Sequence, residues 1–322
     1  MSEIHYIRQS GLIDNSVIVT PKVAIVNPGM YLFSVGAILI WAVNAIINRL
    51  AAGLVDPATI SFARWLIAGV ALGVVFARPI WRQRRLIRPH LGQLTVLGLL
   101  GMVIYQCLAY EAAHTTTATN MGLISSLVPL FAAAFGAWLL DEPPTLGTLA
   151  GGALSLTGLA ILLGHGRPEI LIERGLATGD VLMLLAAVAY ALYGVLIKRW
   201  ALPLDLWVSL TLQILTVLPV LLLYYVSHGL PPVPARSLPL ILYAGIPASI
   251  LAPWLWMKGL AVLGPARASA TINLMPVFIA AIATQFLGEQ FAGYHLIGGT
   301  MTLAGVILSQ KLTLPLFRTA AA

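Results

Sequence analysis

The chain has 322 residues, of which 59% are hydrophobic and only 9% are charged, with a formal net charge of +7. Soluble domains carry about 25% charged residues, so this composition excludes a water-soluble globular protein and predicts a chain that lies mostly in lipid. The basic excess does not require nucleic acid, because Lys and Arg also orient membrane proteins, and we expect no nucleic-acid partner. The single cysteine, Cys107, excludes an intrachain disulfide.

The predicted elements begin after residues 1–29, which lack the pattern of a signal peptide and are expected to form an N-terminal cytoplasmic extension. Ten apolar stretches long enough to cross a bilayer follow. They are predicted to be α-helices, because they are continuously apolar instead of alternating as membrane strands do. The stretches are 30–51, 57–77, 92–111, 116–139, 145–164, 178–198, 205–226, 237–260, 265–287 and 291–310.

The distribution of basic residues predicts the orientation. With the N-terminus inside, most Lys and Arg residues fall in inner segments, above all in the loop between the second and third stretches, which carries Arg78, Arg82, Arg84, Arg85 and Arg88. Because cytoplasmic segments are enriched in Lys and Arg, both termini are predicted to be cytoplasmic. The expected location is a bacterial-type inner (cytoplasmic) membrane.

The chain repeats itself at an offset of 147 positions. Residues that match at this offset include Pro129 and Pro276, Phe131 and Phe278, Glu142 and Glu289, Gly151 and Gly298, and Gly158 and Gly305. The repeat predicts two five-helix halves, 30–164 and 178–310, joined by a linker, 165–177, and followed by a tail, 311–322. Five crossings are an odd number, so the halves are inverted relative to each other. Inverted repeats are typical of secondary transporters.

Several motifs carry a family resemblance. They are "WAVNAIINRL" in the first helix, "SFARWLIAG" in the second, the proline-bearing fourth and ninth helices, "DE" at 141–142 and "GE" at 288–289. With these motifs, residues 30–310 resemble the EamA type of the drug/metabolite transporter superfamily and are most similar to the bacterial YddG-like amino-acid exporters. The resemblance implies an all-α integral membrane protein with ten helices in two repeats, and a small-molecule substrate.

Two prolines are candidate hinges or kinks. Pro129 and Pro276 lie inside apolar helices, where proline removes the hydrogen bond to the carbonyl four residues back. We interpret them first as structural kinks; the alternative is that the freed carbonyls line the pathway and accept a substrate ammonium.

Polar and aromatic residues within the helices are the candidates for substrate binding. Asn and Ser in membranes often hydrogen-bond between helices and aromatic residues often mark interfaces, so structural roles are an equal alternative. The candidates are Trp41, Asn44, Tyr105, Ser126, Tyr193, Trp254 and Asn273.

Charged residues near the helices receive mainly structural interpretations. Arg64 is expected to pair with Asp56 or Asp205, with a substrate carboxylate as the alternative. Glu142 and Glu289 are expected to cap the helix that follows each of them, because a carboxylate stabilises a helix N-terminus.

The sequence therefore predicts a secondary transporter that exports small neutral amino acids, including aromatic or large apolar ones, by alternating access. A transporter of another metabolite or drug is the alternative, as importer or exchanger; a channel or a membrane-embedded enzyme is less favoured, because no pore loop, nucleophile motif or metal-ligand spacing is visible. We expect no enzyme activity, cofactor or metal, the lipid bilayer as surroundings, and a monomer.

Overall fold

A computed structural model describes residues 28–141, 145–167, 169, 176–263, 271–312 and 314, and regular structure in these residues is helical. Short 3₁₀ or π-helical segments join several of the α-helices. The α-helices are α1 Leu32–Ala51, α2 Pro57–Ile87, α3 Leu91–Gly98, α4 Tyr105–Ala112, α5 Ala118–Ser125, α6 Val128–Leu139, α7 Leu146–Leu163, α8 Thr178–Trp200, α9 Leu206–Ser227, α10 Leu238–Gly245, α11 Ala252–Leu263, α12 Met275–Phe286 and α13 Gly293–Lys311.

Two helices begin in the same way at aspartate caps. The Asp56 carboxylate accepts a hydrogen bond from the Ala58 N–H at 2.8 Å, and Pro57 occupies the first turn of α2. The Asp205 carboxylate accepts from the N–H groups of Trp207 at 2.9 Å and Val208 at 3.3 Å. A side-chain oxygen at this position satisfies amide groups that have no partner within the helix, so both aspartates fix where their helices start.

Within the described residues, seven helical runs are long and apolar enough to span a membrane, and the chain is a multi-pass membrane protein. The longest run, 57–112, has 56 residues and at about 1.5 Å per residue would exceed the bilayer core of roughly 30 Å. It folds back at the 3₁₀ turn Arg88–His90, since the Arg64 guanidinium in α2 donates to the Tyr110 hydroxyl in α4 at 3.1 Å. The ten-span arrangement and the sides of the termini stay predictions.

The second predicted stretch ends later than expected. Helix α2 continues through Ile87, whereas the apolar pattern ends near residue 77. The added turns carry Arg82, Arg84 and Arg85, and arginine is a good helix former. Hydropathy therefore marked the apolar part of the helix and not its full length.

The proline-bearing helices are interrupted where continuous helices with kinks were expected. Helix α5 ends at Ser125, residues 126–127 form a turn, and Pro129 lies in the first turn of α6. In the second half, the 3₁₀ turn Thr271–Leu274 precedes α12, with Pro276 in its first turn. Proline is tolerated at a helix start, where its missing N–H leaves no bond unmade, so each proline begins a new helix.

Two π-helical turns lie at corresponding positions of the two predicted halves. Leu99–Ile104 separates α3 from α4, and Pro247–Leu251 separates α10 from α11. The Leu251 N–H donates to the Ile246 carbonyl at 3.1 Å, the five-residue spacing that defines such a turn. A π turn adds one residue to the helix and is frequent at functional sites.

Helices α7 and α13 pack antiparallel with their backbones in close contact. A Cβ atom on Gly158 would lie 2.5 Å from the Gly298 carbonyl oxygen, and one on Gly151 would lie 2.3 Å from the Gly305 carbonyl oxygen. Between these contacts, the Ser155 hydroxyl donates to the Thr302 carbonyl at 2.9 Å. Only glycine permits such approach. Each contact joins a residue of one predicted half to a residue of the other.

Several expectations fall wholly or partly outside the described residues. They concern residues 1–27 of the N-terminal extension, Glu142, the linker at 168 and 170–175, residues 265–270 of the ninth predicted stretch, and the tail at 313 and 315–322. The boundaries of the two halves remain predictions.

Candidate functional site

The π turn Pro247–Leu251 organises a cluster of polar side chains. The Trp41 indole N–H donates to the Ala248 carbonyl at 3.1 Å, and the Trp41 ring lies 5.9 Å from the ring of Trp256. The next residue, Ser249, donates its hydroxyl to the Ala244 carbonyl at 2.7 Å. The turn therefore connects the predicted site residue Trp41 to the neighbourhood of Ser249.

Arg64 lies at the centre of this cluster and is only 3% exposed. Its guanidinium donates to Gln106 Oε1 at 3.0 Å, to the Tyr110 hydroxyl at 3.1 Å and to Ser249 Oγ at 2.8 Å. All three acceptors are neutral. The expected pairing with Asp56 or Asp205 is wrong: both aspartates cap helix starts, and Asp56 also pairs with His228 at 3.2 Å.

Three tyrosines form an aromatic wall next to the cluster. The Tyr105 and Tyr190 ring centroids are 4.7 Å apart, and those of Tyr190 and Tyr193 are 5.4 Å apart. The Tyr193 hydroxyl donates to Gln213 Oε1 at 3.1 Å. Tyr105 directly precedes Gln106, which bonds to Arg64, so the wall adjoins the polar cluster along α4.

Gly101, in the first π turn, lets the aromatic wall approach the backbone. A Cβ atom there would lie 3.2 Å from ring atoms of Tyr193. Both π turns therefore contact predicted site residues: the first contacts Tyr193, and the second contacts Trp41.

Three predicted site residues have their own local contacts. Asn44 donates to Asn48 Oδ1 at 3.5 Å, and its own buried carbonyl oxygen has no partner among the described residues. Ser126 donates to the Leu123 carbonyl at 2.6 Å, within the break between α5 and α6. The Trp254 ring lies 5.8 Å from the Lys258 ammonium and is 40% exposed. In the described residues, no hydrogen bond or ring contact links these three to the Trp41–Arg64 cluster.

Asn273 lies in the 3₁₀ turn Thr271–Leu274, and its side chain is outside what the structure describes. Its position corresponds to Ser126, so both fall at the break before a proline-started helix.

The two prolines each line a cavity. The larger, of about 480 Å³, lies between α12 and α13 and includes Pro276, and the smaller, of about 320 Å³, lies between α6 and α8 and includes Pro129. Among the predicted substrate-binding residues whose side chains the structure describes, none lines either cavity. The two cavities are therefore separate from the Trp41–Arg64 cluster.

Comparison with known proteins identifies the family. The sequence profile of the EamA-like transporter family matches residues 28–164 and, separately, residues 177–310. The chain belongs to this family. Its function is therefore transport, its substrate is a small molecule, and the resemblance of the sequence motifs to the EamA type is confirmed.

Individual relatives of this EamA-like transporter are also transporters. An uncharacterized transporter from Archaeoglobus fulgidus is 27% identical over 290 residues, covering 88% of this chain and 98% of the relative. A probable terminal-alkyne amino-acid exporter from Streptantibioticus cattleyicolor is 27% identical over 272 residues, covering 80% and 85% of the two chains. A crystal structure at 20% identity covers 91% of this chain and 99% of its own, with a TM-score of 0.58, and shows that the fold is shared.

Some residues of the EamA-like transporter's site were missed by sequence reasoning. Gln106, Tyr110 and Ser249 surround Arg64, and Trp256 contacts Trp41. Trp256 follows Trp254 by two positions, so residue type alone could not separate them. A buried arginine inside an apolar stretch was the one signal that could have found the cluster, because such a residue requires polar partners.

The expectation that Glu289 caps the helix that follows it is wrong. Glu289 accepts from the Ala118 N–H at 2.8 Å and from the Thr119 N–H at 3.2 Å, so it caps α5. A second carboxylate, that of Asp180 in the first turn of α8, is buried and accepts from the Thr116 hydroxyl. Within the part of the chain that the structure describes, no three His, Cys, Asp or Glu residues cluster as metal ligands.

Proposed function

We propose that this EamA-like transporter exports small neutral amino acids, including aromatic or large apolar ones, by alternating access. The observation that carries the proposal is the matching pattern of interrupted helices: π turns at 99–104 and 247–251, and proline-started helices at Pro129 and Pro276. Secondary transporters build substrate sites from discontinuous helices near the midplane, at equivalent positions of two repeats.

The proposed architecture is two inverted five-helix halves, 30–164 and 178–310, with ten spans and both termini cytoplasmic. The reciprocal contacts of α7 with α13 support it, since Gly151 with Gly305 and Gly158 with Gly298 exchange places under the offset of the repeat. In alternating access each half would close the substrate pathway on one side of the membrane, and Pro129 and Pro276 would be the hinges of these two gates. We place the chain in a bacterial-type inner membrane, as a monomer.

Amino acids are the favoured substrates for two reasons. The Streptantibioticus cattleyicolor relative is named a probable amino-acid exporter, and the proposed binding residues supply aromatic surface beside amide and hydroxyl groups. We propose Trp41, Asn44, Tyr105, Ser126, Tyr193, Trp254 and Asn273 as the substrate-binding residues. The second candidate function is transport of another small metabolite or drug, as importer or exchanger.

Flux measurements in liposomes test the proposal. Purified protein is reconstituted, the vesicles are loaded with a labelled neutral amino acid, and the efflux rate is measured against its internal concentration, with protein-free vesicles as the control. Saturable efflux that is accelerated by the same amino acid outside supports a carrier. Saturable flux of other metabolites only would favour the second candidate, and flux that rises linearly for many solutes would contradict alternating access.

The aromatic wall gives a separate prediction. Tyr193→Ala removes a ring that contacts Tyr190, and we expect the KM for phenylalanine efflux to rise about tenfold, because aromatic surface contributes roughly 1.5–3 kcal/mol when buried. Tyr193→Phe is the matched control: it keeps the ring, loses only the bond to Gln213, and should keep a KM close to that of the wild type. Equal KM values for wild type and Tyr193→Ala would remove Tyr193 from the site.

A further inference from the structure

Arg64 is a buried cation without a counter-ion among the described residues. Its three hydrogen-bond acceptors, Gln106, Tyr110 and Ser249, are neutral. Glu111, which follows Tyr110 in the chain, accepts from the Tyr224 hydroxyl at 3.2 Å. Hydrogen bonds to neutral groups satisfy N–H donors but leave the charge uncompensated. A buried charge is costly unless it is paired, so this site favours the binding of one anionic group.

Further hydrogen-bond donors lie on the same helix as this guanidinium. Arg64 Nε and Trp65 Nε1 are buried and have no hydrogen-bond partner among the described residues, and the buried Ser61 hydroxyl has only the thiol of Cys107, a weak hydrogen-bonding group, beside it. Positions 61, 64 and 65 are three and four apart, so the side chains lie on one face of α2. Buried donors without partners are rare in folded proteins. These three donors, beside an unpaired cation, form a set that an oxygen anion can satisfy.

A carboxylate fits this set better than a phosphate does. It carries one negative charge, matching one buried cation, and its two oxygens accept up to about four hydrogen bonds. The planar guanidinium binds carboxylates through two parallel bonds. A phosphate ester carries up to two negative charges, and no second basic side chain contacts this cluster in the described part of the chain.

The cluster also adjoins the proposed substrate-binding residues. Ser249 bonds to Arg64, and the carbonyl of the preceding residue, Ala248, bonds to Trp41. Gln106 follows Tyr105 of the aromatic wall in the chain. A carboxylate at Arg64 therefore leaves the rest of the substrate within reach of aromatic surface.

We propose that Ser61, Arg64 and Trp65 form the carboxylate-binding subsite of this transporter, and that its substrates are monocarboxylates with an apolar or aromatic side chain. This inference rests on the proposed function, because it assigns a role within the same site. The test below distinguishes failure of the subsite from failure of the proposed function. Arg64 touches the substrate carboxylate, and Ser61 and Trp65 add neutral donors.

Ligand-induced stabilisation of the purified full-length protein tests the subsite. The probes are phenylalanine, its amide, phenethylamine, which lacks the carboxylate, and 3-phenylpropanoate, which lacks the amine. A ligand that binds the folded state raises the unfolding temperature. We expect stabilisation by phenylalanine and 3-phenylpropanoate, and little by the amide or the amine.

Three variants locate the effect. Arg64→Gln should weaken binding of both carboxylates about tenfold to a hundredfold, because a hydrogen bond to a charged group contributes roughly 1.5–3 kcal/mol. Trp65→Phe removes a donor that has no partner within the described protein, so it should weaken carboxylate binding about two- to tenfold. Because Trp65 is a buried core residue, the ligand-induced shift of each variant is measured from its own ligand-free unfolding temperature. Arg49→Gln is the matched control, because Arg49 donates to the backbone carbonyl of Ala113 and lies outside the cluster.

Each outcome decides the inference. Loss of the carboxylate preference in Arg64→Gln, or in Trp65→Phe if Arg64→Gln does not fold, supports it. Equal stabilisation of the wild type by acid and amine, no stabilisation by any carboxylate, or an unchanged preference in the variants overturns it. If 3-phenylpropanoate binds through Arg64 but amino acids are not transported, the subsite stands and amino-acid export fails. If Arg64→Gln and Trp65→Phe keep the carboxylate preference of the wild type and amino acids are transported, export stands and the subsite fails.

Discussion

Gly158→Ala is expected to destabilise the protein by roughly 3 kcal/mol, the upper part of the range for forcing extra volume into a packed interior. The added methyl group would lie 2.5 Å from the Gly298 carbonyl oxygen and 2.6 Å from the Thr302 nitrogen. Both are backbone atoms, so no side chain can rotate away, and α7 and α13 must separate. The measurement is the unfolding midpoint of purified protein in detergent.

A glycine in open space provides the control. Gly194, in α8, has no heavy atom within 4 Å of its would-be Cβ, so Gly194→Ala should be neutral or slightly stabilising, because alanine favours helix more than glycine does. Gly298→Ala, whose Cβ would lie 2.6 Å from the Gly158 carbonyl oxygen, should match Gly158→Ala. Similar midpoints for Gly158→Ala and Gly194→Ala would show that these helices are not in the close contact described.

Glu289→Ala is expected to destabilise the protein by about 2 kcal/mol. The carboxylate accepts three hydrogen bonds at the start of α5: from the Ala118 N–H at 2.8 Å, the Thr119 N–H at 3.2 Å and the Thr119 hydroxyl at 2.7 Å. Its negative charge also complements the helix N-terminus. Glu289→Gln keeps an acceptor oxygen and should lose less stability, measured by the same unfolding midpoint.

A double-mutant cycle checks that the effect acts through α5. Thr119→Val removes one of the three bonds and should destabilise the wild type, but it should have a much smaller effect when Glu289 is already alanine. Additive effects of Glu289→Ala and Thr119→Val would indicate that the carboxylate stabilises the protein in some other way.

The sequence predicted those features that depend on local chemistry. Apolar length predicted an all-helical membrane chain, and the predicted starts of the second and seventh stretches, at 57 and 205, lie within one residue of the helix starts that Asp56 and Asp205 cap. Family membership followed from motifs spread along the chain and is confirmed by the profile match. These features need no knowledge of which helices touch.

Features that depend on tertiary contact could not be predicted in this way. The neutral partners of Arg64 come from α4 and from a π turn about 185 residues later in the chain, and no periodicity marks either. The π turns themselves add one residue without changing the apolar pattern. Glu289 was expected to cap the nearest helix, and its actual partner is 171 residues away, a pairing that only the packing of the two halves can produce.

The pairing of α7 with α13 has a consequence for biosynthesis. The glycine face of α7 finds its partner only after the ribosome has added roughly 150 further residues, which takes on the order of 10–30 s at about 5–20 residues per second. During that interval the face of α7 at Gly151 and Gly158 remains available to other helices, and the start of α5 lacks the Glu289 carboxylate. The first half is therefore not a finished unit when it enters the bilayer. Its assembly is completed by the last helices to be made, so truncation near the C-terminus should damage the first half as well as the second.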